Sequence, residues 1–231
     1  MTSTFPDISL STERLVLRPY DEDDIPALVE MMNDEPVTAW TGAPQPYTAA
    51  DARAFVSGTA PGERTSGQGI VLAVTEHLTQ RLVGTVSLNR TDWRLRSTEV
   101  GCLTASWARG EGYAGESVLT VCRWLFHEQG FARVELRTAA DNAAAQQLAQ
   151  KIGCVSEGVL RSAGIVRTRP DGDSAAPWTR VRTDLLVWSL LPEDLDDMDD
   201  FDGPDGSHGY ESHHNAGGPA GLGYTALADW R

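Results

Sequence analysis

The stretch from Glu99 to Phe131, EVGCLTASWARGEGYAGESVLTVCRWLFHEQGF, constrains the fold more than any other. It runs from an apolar strand through a glycine-rich turn into a long amphipathic helix. Arg109, Gly110, Gly112 and Ala114 spell R-x-x-G-x-A where that helix begins. The first N–H groups of a helix lack intrahelical partners and carry positive potential, so this junction is a cradle for a pyrophosphate. Glycine at 110 and 112 permits positive φ and a close approach of backbone to phosphate, and Arg109 adds a charged donor. A purely structural glycine turn is the alternative reading.

The same letters satisfy G-x-G-x-x-G at Gly110, Gly112 and Gly115, with the acidic Glu135 twenty residues further on, as in a dinucleotide-binding turn. The spacing argues against it. In that fingerprint the first glycine directly follows a buried strand, whereas here the residues from Ala105 to Arg109 intervene. The lysine of a P-loop is also missing.

TEVGCLTASWARGEGYAGES is similar to the signature of the GNAT N-acetyltransferases, in particular the RimJ/RimL-type branch that acetylates ribosomal-protein N-termini. Thr12 to Pro19, TERLVLRP, resembles that family's first strand. Asp141-Asn142, Leu148, Ile152-Gly153 and Gly158-Val159-Leu160-Arg161 resemble its second motif. The likeness covers residues 10 to 192. It implies an α/β fold: a mixed, largely antiparallel sheet flanked by helices, its fourth and fifth strands splayed to admit the pantetheine arm of acetyl-CoA. Backbone at Leu103, Thr104 and Ala105 would then pair with pantetheine, and Arg109, Gly110, Glu111, Gly112, Tyr113 and Ala114 would hold the pyrophosphate. Tyr113 would pack or touch adenine. Asn142 either bonds the coenzyme or caps the following helix.

The chemistry implied by the resemblance is attack of a neutral primary amine on the acetyl thioester, which needs a base and a held acceptor. Glu99 is the candidate base, since strand alternation places it on the face of Gly101 and Leu103. A strand glutamate merely paired with an arginine is the alternative. Two positions depart from the family pattern. Ala149 stands where many relatives carry a tyrosine acid, and Ala145 where the branch carries a serine. Ser106, Tyr113, water or no acid at all remain open for the leaving thiolate. Acceptor specificity is expected from the segment between the first two helices and the loop before the last strand, where Trp40, Thr41, Tyr47 and Trp178 offer pocket surface. An acyl-CoA-binding regulatory or interaction module without turnover is the competing function. Dimerisation is common in the resembled branch.

Of 33 acidic residues, ten follow Pro192, which leaves 23 against 18 basic residues before it. Residues 1–192 therefore read as one domain. The segment 193–231, rich in Asp, Gly, His and Ser, reads as a disordered acidic tail that cannot repay its ordering entropy. His208, His213 and His214 in it could chelate a metal, but three histidines in a floppy acidic tail more often mean nothing, and no metal is expected. Overall acidity favours a cationic acceptor and disfavours nucleic acid. With no apolar run long enough to span a bilayer, no signal-like start, and single cysteines at apolar positions (Cys102, Cys122, Cys154), a cytoplasmic protein without membrane association is expected.

Coarser signals place a strand over 14–18 and a helix carrying Ile25, Leu28, Val29 and Met32. A second helix is expected from a Thr48 cap through Phe55. Strands are expected at 70–75 and 82–88 as a hairpin, at 98–104, at 134–138 and at 181–191, with a helix over 143–152. The region from Ser162 to Trp178 reads as a loop or long hairpin turn.

Overall fold

The computed structural model describes residues 3–170, 173 and 175–195. Eight strands form one sheet in the order β1-β2-β3-β4-β5-β6-β8-β7: β1 (Leu10–Ser11), β2 (Leu15–Arg18), β3 (Ile70–Glu76), β4 (Leu82–Asp92), β5 (Ser97–Thr104), β6 (Arg133–Ala139), β7 (Val155–Thr168) and β8 (Thr179–Leu190). Every neighbouring pair is antiparallel except β5 and β6. A parallel pair needs a crossover, and α5 (Tyr113–His127) supplies it.

Two helical layers cover the sheet. One face carries α1 (Ile25–Met32), α2 (Glu35–Trp40), α3 (Ala49–Ala54) and α4 (Ala60–Ser66), the last two joined by one π turn over Phe55–Thr59. Tyr20 anchors this layer: its hydroxyl bonds that of Thr85 on β4 and its ring meets Phe55 edge-on at 5.6 Å. The other face carries α5 and α6 (Ala143–Lys151). Val118, Val121, Cys122 and Leu125 form the buried stripe of α5, at the spacing a single helix face requires. Phe5 closes the far end, packing on Trp93, Trp124 and Phe131.

Thr48 caps α3 through a reciprocal box with Asp51, as its hydroxyl predicts. Three expectations are corrected. The helix begun at Thr48 continues through the π turn and α4 to Ser66. A helix not expected, α2, follows α1 directly. The region expected as a loop or long hairpin turn from Ser162 is strand to Thr168, so the turn is shorter than expected and β7 and β8 form a long hairpin at the sheet edge. Residues 192–195 are helical and Leu195 is buried, so packed chain reaches slightly past the expected boundary. The rest of the expected acidic tail, with His208, His213 and His214, lies outside the described residues. Among the described residues no helix is long and apolar enough to cross a membrane, and no cluster of His, Cys, Asp and Glu is arranged to hold a metal ion.

Candidate active site

The sheet is split where the glycine loop begins. β5 and β6 pair only at Ser97–Arg133, Thr98–Val134 and Glu99–Glu135. Beyond Glu99, β6 continues against β8 while β5 continues against β4, so the β6-facing edge of β5 from Val100 to Thr104 has no strand beside it. An extended amide-bearing chain fits such an edge as a strand would. β4 holds the other edge of β5 closely. A Cβ at Gly84 would lie 2.2 Å from the carbonyl oxygen of Leu103, so only glycine admits that approach.

At the end of β5, Ala105 and the short turn Ser106–Ala108 lead into the loop. Gly110 and Gly112 adopt φ of 84° and 81°, the region L-residues avoid. Gly112 is the N-cap of α5 and supplies no capping side chain. A groove of about 190 Å³ opens here, lined on one side by Thr104, Arg109, Gly110, Gly112 and Tyr113 and on the other by Gln147 and Lys151 of α6. Positive-φ glycines, the start of α5 and a lysine around one groove fit a diphosphate.

Arg14 braces the loop from outside. It donates to the carbonyl of Glu111 at 3.1 Å and to Glu116 at 2.8 Å, and its guanidinium lies 4.8 Å from the centre of the Tyr113 ring. The Tyr113 hydroxyl donates to Glu76 at 3.1 Å, which raises its pKa. Arg109 lines the groove while pairing with Asp34, at the head of α2. Asn142 caps α6, its side-chain oxygen accepting from the amide of Ala145 at 3.1 Å. Ala145 and Ala149 are fully buried, so neither position offers an acid.

Glu99 sits at the fork, on the sheet face covered by α1–α4. Its carboxylate is nearly buried between Arg90 of β4 at 3.4 Å and Arg137 of β6 at 3.2 Å. Burial raises its pKa, against the pull of both arginines. The ion chain extends further, from Arg137 to Glu135 and through Arg133 to Glu157. Glu135, the acidic residue of the dinucleotide reading, is thus engaged with Arg133 and Arg137. Arg90 reaches Glu99 from a bulge in β4, with φ of 51° where the β4–β5 register shifts.

The acceptor candidates gather in part. Trp40 ends α2 and packs on Ala139, Val166 and Leu185. Thr41 and Tyr47 are buried, and neither hydroxyl has a hydrogen-bond partner among the described residues. The Tyr47 backbone is held at both its N–H and its C=O by the side chain of Asn33. Trp178, on the β7–β8 hairpin, lies under Arg169 at 4.6 Å, and Arg169 pairs with Glu35 of α2.

Arg167 was not legible as a site residue. From β7 its buried guanidinium donates to the carbonyls of Thr38 at 3.4 Å, Gly42 at 3.2 Å and Ala43 at 2.6 Å, clamping the segment that carries Trp40 and Thr41. Asp34, Arg14, Lys151 and the two arginine partners of Glu99 were also missed. Only Arg14 had a signal, from its place in the TERLVLRP motif. The cysteines are all buried, and burial lifts the thiol of Cys154 to about 12.

The family described as Acetyltransferase (GNAT) domain matches residues 14–155. The chain is 27% identical over 154 residues to the uncharacterized N-acetyltransferase YoaA of Bacillus subtilis, covering 66% of this chain and 85% of that one. A ribosomal-protein-S5-alanine acetyltransferase from Vibrio fischeri superposes with a TM-score of 0.64 at 17% identity, over 80% of this chain and 97% of that one. RimL, a ribosomal L7/L12 alpha-N-protein acetyltransferase in complex with coenzyme A, gives 0.65 at 17% identity, over 80% and 98%. At such identities these structures speak for the shared fold.

Proposed function

Because the chain belongs to the GNAT acetyltransferase family, we propose that it transfers acetyl from acetyl-CoA to the primary amine of a cationic acceptor, either a protein N-terminus or a small amine. The observation that carries this reading is the unpaired edge of β5 running directly into the glycine loop. Backbone at Leu103, Thr104 and Ala105 binds the pantetheine arm. The loop from Arg109 to Ala114 takes the pyrophosphate, with Lys151 opposite. The bound coenzyme supplies an activated acetyl thioester at the fork between β5 and β6.

Glu99, at that fork, accepts the proton of the acceptor's ammonium. A carboxylate raised by burial is a better base at neutral pH than a solvated one. Neither α6 nor Tyr113 supplies the acid. Ala145 and Ala149 have no proton to give, the Tyr113 hydroxyl is committed to Glu76, and we assign protonation of the leaving thiolate to solvent. Trp40, Thr41, Tyr47 and Trp178 form the acceptor side, where the unpartnered hydroxyls of Thr41 and Tyr47 are available to polar groups of the acceptor. The alpha-N-protein acetyltransferase activity of RimL supports a protein N-terminus as one arm of the substrate search. The buried thiols support a reducing compartment, and we assign the cytoplasm.

Calorimetric titration with acetyl-CoA, followed by thiol release with a pool of basic N-terminal peptides and a pool of small amines, tests this function. Binding with release in either pool supports it and sorts the acceptor class. Absence of acetyl-CoA binding refutes it.

A further inference from the structure

Asp34 stands at the N-cap of α2, where an aspartate commonly accepts a hydrogen bond from a first-turn amide, yet its side chain makes no such bond. Its carboxylate instead meets Arg109, the arginine that lines the glycine-loop groove. Both side chains are largely buried, at 21% and 15% exposure, so the pair is shielded more than an ordinary surface pair. Pro36 has no N–H, and the amide of Val37 is the remaining cap donor nearby. The guanidinium of Arg109 and the first turn of α2 therefore compete for this carboxylate. Arg169, just past β7, pairs with Glu35 beside Asp34, and the far end of the same segment is fixed by Arg167 of β7 on the carbonyls of Thr38, Gly42 and Ala43. The segment from Asp34 to Ala43 is thus strapped between the glycine loop and the β7–β8 hairpin.

We propose that the Asp34–Arg109 pair couples the two half-sites. A diphosphate in the groove draws Arg109 away from Asp34, and Asp34 turns back to cap α2, resetting the acceptor segment. The inference rests on the acetyl-CoA reading above. A guanidinium offered a diphosphate beside a single carboxylate moves toward the higher charge and the second pair of acceptor oxygens. Asp34 is a positioning residue: it acts through Arg109 and the first turn of α2. By linkage, whatever the coenzyme does to the acceptor segment, an acceptor seated there does in return to coenzyme affinity.

Hydrogen exchange read by mass spectrometry, with and without acetyl-CoA, tests the coupling without an identified acceptor. In the wild type, acetyl-CoA should slow exchange across 110–117 and change it across 34–43 by about threefold or more. Asp34→Asn, which relieves Arg109 of its competitor, should bind acetyl-CoA about threefold to fivefold more tightly, the scale of one partly shielded ion pair. In that variant 34–43 should no longer respond, whereas Asp34→Glu should restore the response. Tighter binding is a change that a damaged fold does not produce, and it should vanish when Arg109→Gln is already present. A wild type that protects 110–117 but leaves 34–43 unchanged, or an Asp34→Asn affinity equal to wild type, overturns the coupling and leaves the acetyl-CoA reading standing. No acetyl-CoA binding by the wild type overturns that reading, and the coupling with it.

Discussion

Replacing Glu99 by Gln isolates the base with the least change in shape. The carboxylate is 5% exposed, and burial raises its pKa despite Arg90 and Arg137. As the general base, it makes kcat/KM fall on the acid side as pH drops through that raised value, above the range of a solvated glutamate. General bases contribute about 10²- to 10⁴-fold, so the Gln variant should lose at least about 100-fold in kcat/KM, or about 2.7 kcal/mol of transition-state stabilisation. Its remaining rate should have no acid limb at that pH. Arg137→Gln removes a charge that favours the carboxylate, so the acid limb should move to higher pH. The sign for stability is the reverse of that for activity. A carboxyl whose pKa is raised on folding contributes stability that is full below its unfolded value and is lost as pH rises through the folded one. Wild type should therefore gain stability relative to Glu99→Gln as pH falls through the raised value. The assay is thiol release against pH, with acetyl-CoA affinity measured alongside. A Gln variant within about twofold of wild type, with its acid limb intact, would falsify the assignment of Glu99.

Gly112→Ala places a Cβ at φ of 81°, where space is open but the backbone is strained; a loss of about 1 kcal/mol in stability and about tenfold in acetyl-CoA affinity is expected by thermal melts and calorimetry. Arg167→Met removes three donors from the carbonyls of Thr38, Gly42 and Ala43. Acceptor KM should rise at least about fivefold while acetyl-CoA affinity stays within about twofold, and parallel loss of both would refute a local role. Thr48→Ala breaks the cap of α3 and should cost about 1 kcal/mol in denaturant unfolding without changing kcat.

The parts legible in the sequence were those set by local rules. β5, the glycine loop and α5 follow from alternation, positive-φ glycines and a 3.6-residue stripe, and the Thr48 cap from one hydroxyl three residues before an aspartate. α2 escaped because six residues with a proline at the second position carry no periodicity. β7 escaped because its register shifts near Gly158 and Gly164, and eleven of its fourteen residues are exposed or half-exposed in succession, which hides the alternation of a buried face. The partners of Glu99, Arg109 and Arg167 lie on other elements, far along the chain for the latter two. No spacing rule names them; they appear only once the sheet brings β4, β5 and β6 together and α2 is set against β7.

The fork in the sheet has a consequence in the cell. Among the described residues, three ladder pairs join the β1–β5 part of the sheet to the β6–β8 part, so on the proposed reading a coenzyme lodged between them extends the ladder as well as supplying the acetyl group. A ligand that binds the folded chain alone raises its stability by mass action, by about 2.7 kcal/mol at a hundredfold excess over Kd. The supply of that ligand then governs how often the chain opens to proteases as well as how fast it turns over. On the acetyl-CoA reading proposed above, a fall in the cellular acyl donor would lower the amount of this protein, and its lifetime would follow metabolic state.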